Sequence, residues 1–240
     1  MTAIRFPTGV TACAVEVATA TPGEELVAAL GLPAPPGTVV LNGSTAELDP
    51  DLHAELAALL GTDGLAGTVV ERGLTTVTGG TDAGIFSLLG AAMAGARAPL
   101  VGVVPRRRVT WPGGPPGADR VPLEPHHSHF LVVDVDAWGD ETPALLALAD
   151  ALGRHAPSVA VVCGGGPVTV AETLSHVRAR RPVIVVEGSG RFADELVAAI
   201  RGAPCDEATA EIARGDVTVC PLGSGPGPFV VAVLDALGTG

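Results

Sequence analysis

The chain has 240 residues, a length that fits one large α/β domain better than two small ones. Hydrophobic residues make up 47% of it and charged residues 17%, which allows a sizeable core and excludes a disordered chain. The net charge of −12 disfavours duplex nucleic acid as a partner, and because all 14 basic residues are arginine, a Schiff-base or P-loop lysine is excluded.

The predicted elements alternate between short β-branched runs and Ala- and Leu-rich segments of helical length. The predicted strands are Thr11–Val17, Thr38–Leu41, Thr75–Thr78, Leu100–Val104, Phe130–Asp134, Val159–Cys163, Val183–Val186 and Val217–Val219. The predicted helices are Asp49–Leu65, Asp82–Gly95, Glu141–His155, Pro167–Arg180, Arg191–Ile200 and Pro228–Leu237. Since the strands are almost continuously apolar, they predict an α/β fold, a Rossmann-like, doubly wound and mostly parallel sheet with helices on both faces.

Two segments lie outside this alternation. Residues 1–35 are predicted to add an edge strand and a helix to a ligand-binding domain over residues 36–240, the two forming one compact unit. Pro105–Pro125 contains the arginines Arg106–Arg108 and Trp111, and its length is typical of a lid or a disordered insertion. Its arginines could close over a polyphosphate or form a solvated face.

The sequence also limits the compartment and the expected chemistry. The amino terminus lacks the apolar core of a signal peptide, and long apolar stretches such as Gly90 to Gly102 are interrupted and too short to span a bilayer. We therefore expect a cytoplasmic protein with no direct membrane insertion. The four cysteines form no C-x-x-C pair, which disfavours a zinc knuckle and a disulfide framework.

Four of the predicted strands end in loops of glycine and small hydroxyl residues. These loops contain Gly43, Ser44 and Thr45; Gly79, Gly80 and Thr81, followed by Gly84; Gly165, Gly166 and Pro167; and Gly188, Ser189, Gly190 and Arg191. Backbone N–H groups of such loops, at the amino ends of helices, bind anions without a lysine. One such loop is ordinary turn chemistry. Four at one sheet edge, with no packing reason evident in the sequence, predict a nucleotide or phosphosugar pocket.

A family resemblance rests on four motifs that recur in order. Val77–Ile85 resembles the T-G-G-T-x-x-G-[IV] signature of the SLOG superfamily, and the segments His127–Asp134, Cys163–Thr169 and Val185–Asp194 resemble further motifs of its LSDAT branch. This branch occurs at the cytosolic amino terminus of melastatin-type TRP channels and in bacterial stand-alone proteins. The resemblance runs from about Pro36 to Val197.

The resemblance implies a sensor domain for a nucleotide-derived ligand such as ADP-ribose or NAD, with no required cofactor. It implies that two sets of residues cradle phosphate, namely Gly79, Gly80 and Thr81, and Gly165, Gly166 and Thr169. Gly188, Ser189, Gly190 and Arg191 are implied to contact phosphate or stack on the base. Gly164 replaces the acidic residue that usually precedes Gly-Gly-Pro. A homodimer, and a separate membrane or effector protein that reads the bound state, are the implied partners.

A related branch supports an alternative function. The segment Gly164–Glu172 resembles the P-G-G-x-G-T-x-x-E motif of cytokinin-activating phosphoribohydrolases, and it departs from that motif at Gly164 and Val168. The resemblance implies that Glu172 takes part in cleaving an N-glycosidic bond. A glutamate near the amino end of a helix is also common for reasons of the helix dipole. Whether the protein is an enzyme therefore stays open, and the sensor is the preferred hypothesis.

The remaining candidates have two interpretations each. His127 and His129 could hydrogen-bond a ligand at the pocket mouth or lie at the surface, and a metal site is disfavoured because no Cys or acidic partner has a suitable spacing. Trp138 could stack on an adenine or be a structural residue. Ser189 and Ser224 lack the surroundings of a hydrolase triad, so a serine nucleophile is not expected.

Overall fold

A computed structural model describes residues 1–239 as one α/β domain with a mostly parallel sheet between layers of helices. The strands are β1 Thr2–Arg5, β2 Thr11–Val17, β3 Thr38–Gly43, β4 Thr75–Thr78, β5 Leu100–Pro105, β6 Val109–Thr110, β7 Val121–Pro122, β8 His129–Val133, β9 Ser158–Cys163, β10 Val183–Glu187 and β11 Val217–Pro221. The helices are α1 Gly23–Leu30, α2 Pro50–Leu60, α3 Leu65–Arg72, α4 Gly84–Ala92, α5 Thr142–Gly153, α6 Pro167–Arg178, α7 Arg191–Ile200, α8 Glu207–Ala213 and α9 Pro226–Ala236. The predicted fold class is confirmed.

The order of the strands places a topological switch point in the middle of the sheet. Over the described residues the order is β1-β2-β8-β5-β4-β3-β9-β10-β11, and every neighbouring pair except β1–β2 is parallel. From β3 the chain builds the sheet outward through β4, β5 and β8, and it then crosses to β9 and builds in the other direction. Parallel strands of this kind bind ligands beyond their carboxyl ends at the switch point, which here lies between β3 and β9.

The amino-terminal segment extends one edge of this sheet. Strand β2 pairs in parallel with β8, β1 pairs antiparallel with β2, and α1 packs against α5. Strand β1 was not predicted from the sequence. Its pattern of one buried residue, Ile4, among three exposed ones is typical of an edge strand with one face on the core.

Two further predictions need correction. The helix predicted over Asp49–Leu65 ends at Leu60 as α2, and after a turn at Gly61–Gly64 a separate helix, α3, brings Leu65 and Val69 to the core. Pro105–Pro125 is folded, with β6 and β7 pairing in parallel. Helices α3 and α8 were not predicted from the sequence. Among residues 1–239, no helix combines the length and the apolar character needed to cross a bilayer.

Candidate functional site

The four glycine-rich loops lie side by side at the carboxyl edge of the sheet, because β4, β3, β9 and β10 are consecutive neighbours. A pocket of about 250 Å³ opens there, at the switch point. Its polar lining comes mainly from the loop after β4, the end of β3 and the first turns of α5 and α6. The lining residues are Leu41, Asn42, Gly43, Thr45, Gly79, Thr81, Ala83, Phe86, Val121, Trp138, Gly139, Glu141, Leu145, Val168, Thr169 and Glu172.

The loops after β3 and β4 are packed against each other. Gly84 has φ +51°, and a Cβ there would collide with the carbonyl of Ser44, whose oxygen accepts the Ile85 N–H at 3.2 Å. A Cβ on Gly43 would collide with the carbonyl of Cys163. The sequence-based statement that these glycines lack a packing reason is therefore wrong for Gly43 and Gly84, because backbone segments cross at both positions.

Thr81 provides an unpartnered polar atom in the pocket wall. Its side chain is 2% exposed, and its hydroxyl has no hydrogen-bond partner within the described residues. The backbone N–H groups of Gly79 and Thr81 likewise donate to no acceptor in residues 1–239. The loop therefore has three donors, one of them on a buried side chain, that have no partner within residues 1–239.

Glu172 lies on α6, where Gly166 precedes the first helical residue, Pro167, as the sequence predicted. The Thr169 hydroxyl accepts the Gly166 N–H at 3.4 Å and lies in the pocket wall. One turn further, Glu172 is 7% exposed. Its Oε2 accepts a hydrogen bond from Asn42 Nδ2 at 2.8 Å, and its Oε1 faces the Thr142 hydroxyl at 3.4 Å.

Two carboxyl groups in the pocket wall, those of Glu172 and Glu141, are buried. Burial raises the pKa of Glu172 to about 7, since the hydrogen bonds from Asn42 and Thr142 only partly offset it and the Glu141 charge adds to it. Burial also raises the pKa of Glu141, whose Oε2 accepts the Gly139 N–H at 2.8 Å. A carboxyl group that titrates near neutral pH in a pocket is typical of functional sites.

Behind Glu172 runs a chain of hydrogen bonds that we call the Arg181 relay: Arg181, His176, Asn42 and Glu172. Arg181 Nη1 donates to His176 Nδ1 at 2.5 Å, and His176 Nε2 pairs with Asn42 Oδ1 at 3.0 Å. His176 is 0% and Asn42 1% exposed. At its far end, Arg181 is held by Asp150 at 2.8 Å and by Ser158 at 3.0 Å.

A second chain of hydrogen bonds, the Glu124 network, supports the loop after β4: Glu124, His127, Thr78 and Gly80. Glu124 Oε2 pairs with His127 Nδ1 at 2.7 Å, and His127 Nε2 pairs with the Thr78 hydroxyl at 2.8 Å. Thr78 Oγ1 also accepts the Gly80 N–H at 2.9 Å. The structure therefore places His127, which is fully buried, beneath the loop and outside the pocket lining.

His129 also lies outside the pocket lining, at the amino end of β8, where its Nδ1 pairs with the Ser128 hydroxyl at 2.8 Å. Burial lowers its pKa.

Trp138, in contrast, lies in the pocket wall and is 43% exposed, so its ring is accessible to a ligand. Arg106 and Arg107 pair with acidic side chains at the edge of the sheet, 3.4 Å and 2.6 Å away, and take no part in the pocket lining.

The loop after β10 lies beside the pocket and is held by its own carboxylate. The Gly188 and Gly190 N–H groups donate to Asp194 at 2.6 and 3.1 Å. The Ser189 hydroxyl donates to the Val186 carbonyl and accepts the Gly164 N–H at 2.8 Å. These donors are thus already occupied within the protein.

Arg191 follows the loop after β10 and is exposed. It begins α7 at φ +54°, and its guanidinium group approaches the Gly166 backbone. Its charge therefore lies next to the amino end of α6.

Sequence reasoning missed Asn42, Glu141 and Thr142. Asn42 could have been found, because a single polar residue near the end of an otherwise apolar strand is a signal for a buried contact. Glu141 caps α5 and Thr142 begins it, and neither residue belongs to a motif. Within residues 1–239, no group of three or more His, Cys, Asp or Glu side chains is placed to hold a metal ion.

A doubly wound, mostly parallel sheet with a pocket at its switch point is typical of a Rossmann-like domain. The family model described as "SLOG in TRPM, prokaryote" matches residues 36–228, and the chain belongs to this family. The resemblance stated from the motifs is thereby confirmed.

Eukaryotic channels are similar over part of the chain. "Transient receptor potential cation channel subfamily M member 2" of Rattus norvegicus is 30% identical over 110 residues, which cover 40% of this chain and 7% of the channel. A "Transient receptor potential channel" of Caenorhabditis elegans is 29% identical over 196 residues, which cover 68% of this chain and 10% of the channel. The aligned part of this chain thus corresponds to a small fraction of these relatives.

Proposed function

We propose that this domain binds a nucleotide-derived small molecule in the switch-point pocket and acts as a cytoplasmic sensor or regulatory domain. The observation that carries the proposal is the unpartnered Thr81 hydroxyl beside the free N–H groups of Gly79 and Thr81. These donors lie at the carboxyl edge of a parallel sheet, where phosphate and ribose oxygens bind in sheets of this class. Membership of the SLOG family supports a nucleotide-related ligand.

The pocket dimensions favour a ligand with one nucleoside-sized portion inside the cavity. The volume of about 250 Å³ is near the lower end for ligand pockets, so a larger ligand such as NAD or ADP-ribose would extend past Trp138 into solvent. Trp138 offers a ring face for a base, and Arg191 offers a charge for a second phosphate outside the pocket.

Thermal unfolding with AMP, ribose 5-phosphate, ADP-ribose and NAD tests this proposal. A ligand at a hundredfold excess over its dissociation constant adds about 2.7 kcal/mol, which corresponds to a shift of several degrees in Tm. The shift should shrink in Trp138→Ala and persist in Trp111→Phe, a change outside the pocket. No shift with any of the four ligands, in a folded protein, contradicts the proposal.

Hydrolysis of an N-glycosidic bond is a second candidate function, favoured by the buried Glu172 carboxyl. In this reaction water adds across the bond between base and ribose, releasing the free base and, from AMP, ribose 5-phosphate. A carboxyl with a pKa near 7 suits proton transfer to the leaving base. Incubation with AMP and chromatographic detection of adenine separates the two candidates, since a sensor leaves AMP intact. If the domain is a hydrolase, Glu172→Gln should abolish the release of adenine.

A further inference from the structure

The Arg181 relay has only one consistent direction. The guanidinium group of Arg181 is a donor only, so His176 Nδ1 has to accept. Burial and, to a smaller extent, the neighbouring Arg181 charge lower the pKa of His176 to about 3, so the ring is neutral and its single proton is on Nε2. That proton is donated to Asn42 Oδ1, which fixes the orientation of the Asn42 amide.

The fixed amide decides which oxygen of Glu172 can carry a proton. Asn42 Nδ2 donates to Glu172 Oε2, so a proton on Oε2 would oppose the amide donor. The acid form of Glu172, a residue that lines the pocket, therefore has its proton on Oε1, next to the Thr142 hydroxyl. Around this oxygen lies one further acidic group, Glu141, while Arg181 and His176 are reached only through Asn42.

We propose that Asn42, His176 and Arg181 are positioning residues that make Glu172 a hydrogen-bond and proton donor to the bound ligand through Oε1. This inference rests on the proposed binding of a nucleotide-derived ligand in the pocket. It deepens that proposal, because a donor at this point selects a ligand with an unprotonated acceptor there, such as a ring nitrogen or a ribose oxygen. An anionic oxygen would be accepted only when Glu172 is protonated.

Titration of the Glu172 carboxyl by ¹³C NMR tests the relay without any ligand. Protein labelled at the glutamate carboxyl carbons gives the signal, which is assigned by its loss in Glu172→Gln. We expect a midpoint at about pH 7 in the wild type. His176→Leu should raise the midpoint by about one pH unit, because the Asn42 amide is then free to turn away from the carboxylate.

Conservative variants distinguish positioning from a merely structural role. His176→Gln should return the wild-type midpoint, since its amide oxygen can accept from Arg181 while its amide nitrogen donates to Asn42. Asn42→Asp has nearly the same shape and replaces the donor by an acceptor, so it should raise the midpoint even if His176→Leu fails to fold. Arg178→Gln, on the same helix but outside the relay, should change nothing. An unchanged midpoint in His176→Leu or in Asn42→Asp overturns the proposal.

Calorimetric binding of AMP then tests the donor role. At pH 8, binding measured in two buffers of different ionisation enthalpy should show uptake of a proton by the wild type and none by Glu172→Gln. Binding without proton uptake in the wild type overturns the donor role. A complete absence of AMP binding would count against the proposed function, and the NMR titration would still decide the relay.

Discussion

The two buried histidines of this domain are held in opposite tautomers by opposite charges. His127 has its proton on Nδ1, because the ionised Glu124 accepts there, whereas His176 has its proton on Nε2, because Arg181 donates to Nδ1. The Glu124 network ends on the backbone N–H of Gly80, which donates to the Thr78 hydroxyl, so the network supports the backbone of the loop after β4. The Arg181 relay ends on a carboxyl group in the pocket wall.

The difference shows that the charge at the buried end of such a chain decides what its other end can do. A carboxylate at the base makes His127 accept from the Thr78 hydroxyl, and this fixes a loop. In the Arg181 relay the guanidinium group donates to His176, which donates to Asn42, which donates to Glu172 Oε2. Glu172 Oε1 is therefore the carboxyl oxygen that does not take part in the relay. The same residue type therefore supports the backbone in one place and orients a reactive group in the other.

The largest expected effect is the loss of the base of the Glu124 network. Glu124→Ala removes a carboxylate that accepts from His126 and His127, leaving their donors buried without a partner. We expect a loss of about 4 kcal/mol in the free energy of unfolding, measured by urea denaturation at pH 7. Glu211→Ala, which removes an exposed partner of Arg178, is the control and should have little effect. Equal effects of the two changes would mean that the network is not a stabilising unit.

Removing the Glu172 carboxyl should raise the free energy of unfolding at pH 8, whereas removing the Glu124 carboxyl lowers it. Its pKa in the folded state is raised to about 7 from 4.5, so the folded protein binds this proton more tightly than the unfolded chain does, and stability falls as pH rises between these values. Glu172→Gln mimics the acid form, with an oxygen facing Asn42. We expect it to match the wild type at pH 4.5 and to be more stable at pH 8, by up to about 3 kcal/mol in urea denaturation. A variant that is less stable than the wild type at pH 8 would contradict this.

Both buried histidines should make the folded protein less stable as the pH falls. Burial lowers the pKa of both His127 and His176 below 6.5, so the folded state binds fewer protons than the unfolded state and stability is lost as pH falls below 6.5. His176→Gln keeps the hydrogen bonds and cannot titrate. It should therefore lose less stability between pH 7 and pH 5 than the wild type, by about 2 kcal/mol in denaturation curves. His127→Gln should act in the same direction, and a steeper acid loss in either variant would argue against a neutral buried ring.

The smallest effect distinguishes a structural hydroxyl from a ligand-facing one. Thr76 and Thr81 both have buried hydroxyls without a partner, but only Thr81 lines the pocket. Thr76→Val and Thr81→Val should each raise the free energy of unfolding by about 1 kcal/mol, since an unsatisfied group is removed. Only Thr81→Val should weaken binding of AMP, by about tenfold in calorimetry. Equal affinities in both variants would place the ligand away from Thr81.

The fold could be predicted from the sequence because apolar strands buried on both faces leave a strong local pattern, as in Thr38–Gly43 and Ser158–Cys163. The loops of the site were predictable for a similar reason, since a parallel sheet brings the ends of β3, β4 and β9 to one edge. The side-chain contacts within the site could not be predicted from the sequence. That Glu172 meets Asn42, and that Asp194 occupies the Gly188 and Gly190 N–H groups, depends on side-chain packing between distant segments.

The separation of Asn42 and Glu172 by 130 residues also has a consequence for folding. Because the switch point joins two halves of the sheet that are built in opposite directions, the pocket forms only when both halves have assembled. Contacts of such long sequence separation close late and slow the search for the native state. A ligand bound there can stabilise only the fully assembled sheet, so occupancy reports on complete folding of the domain.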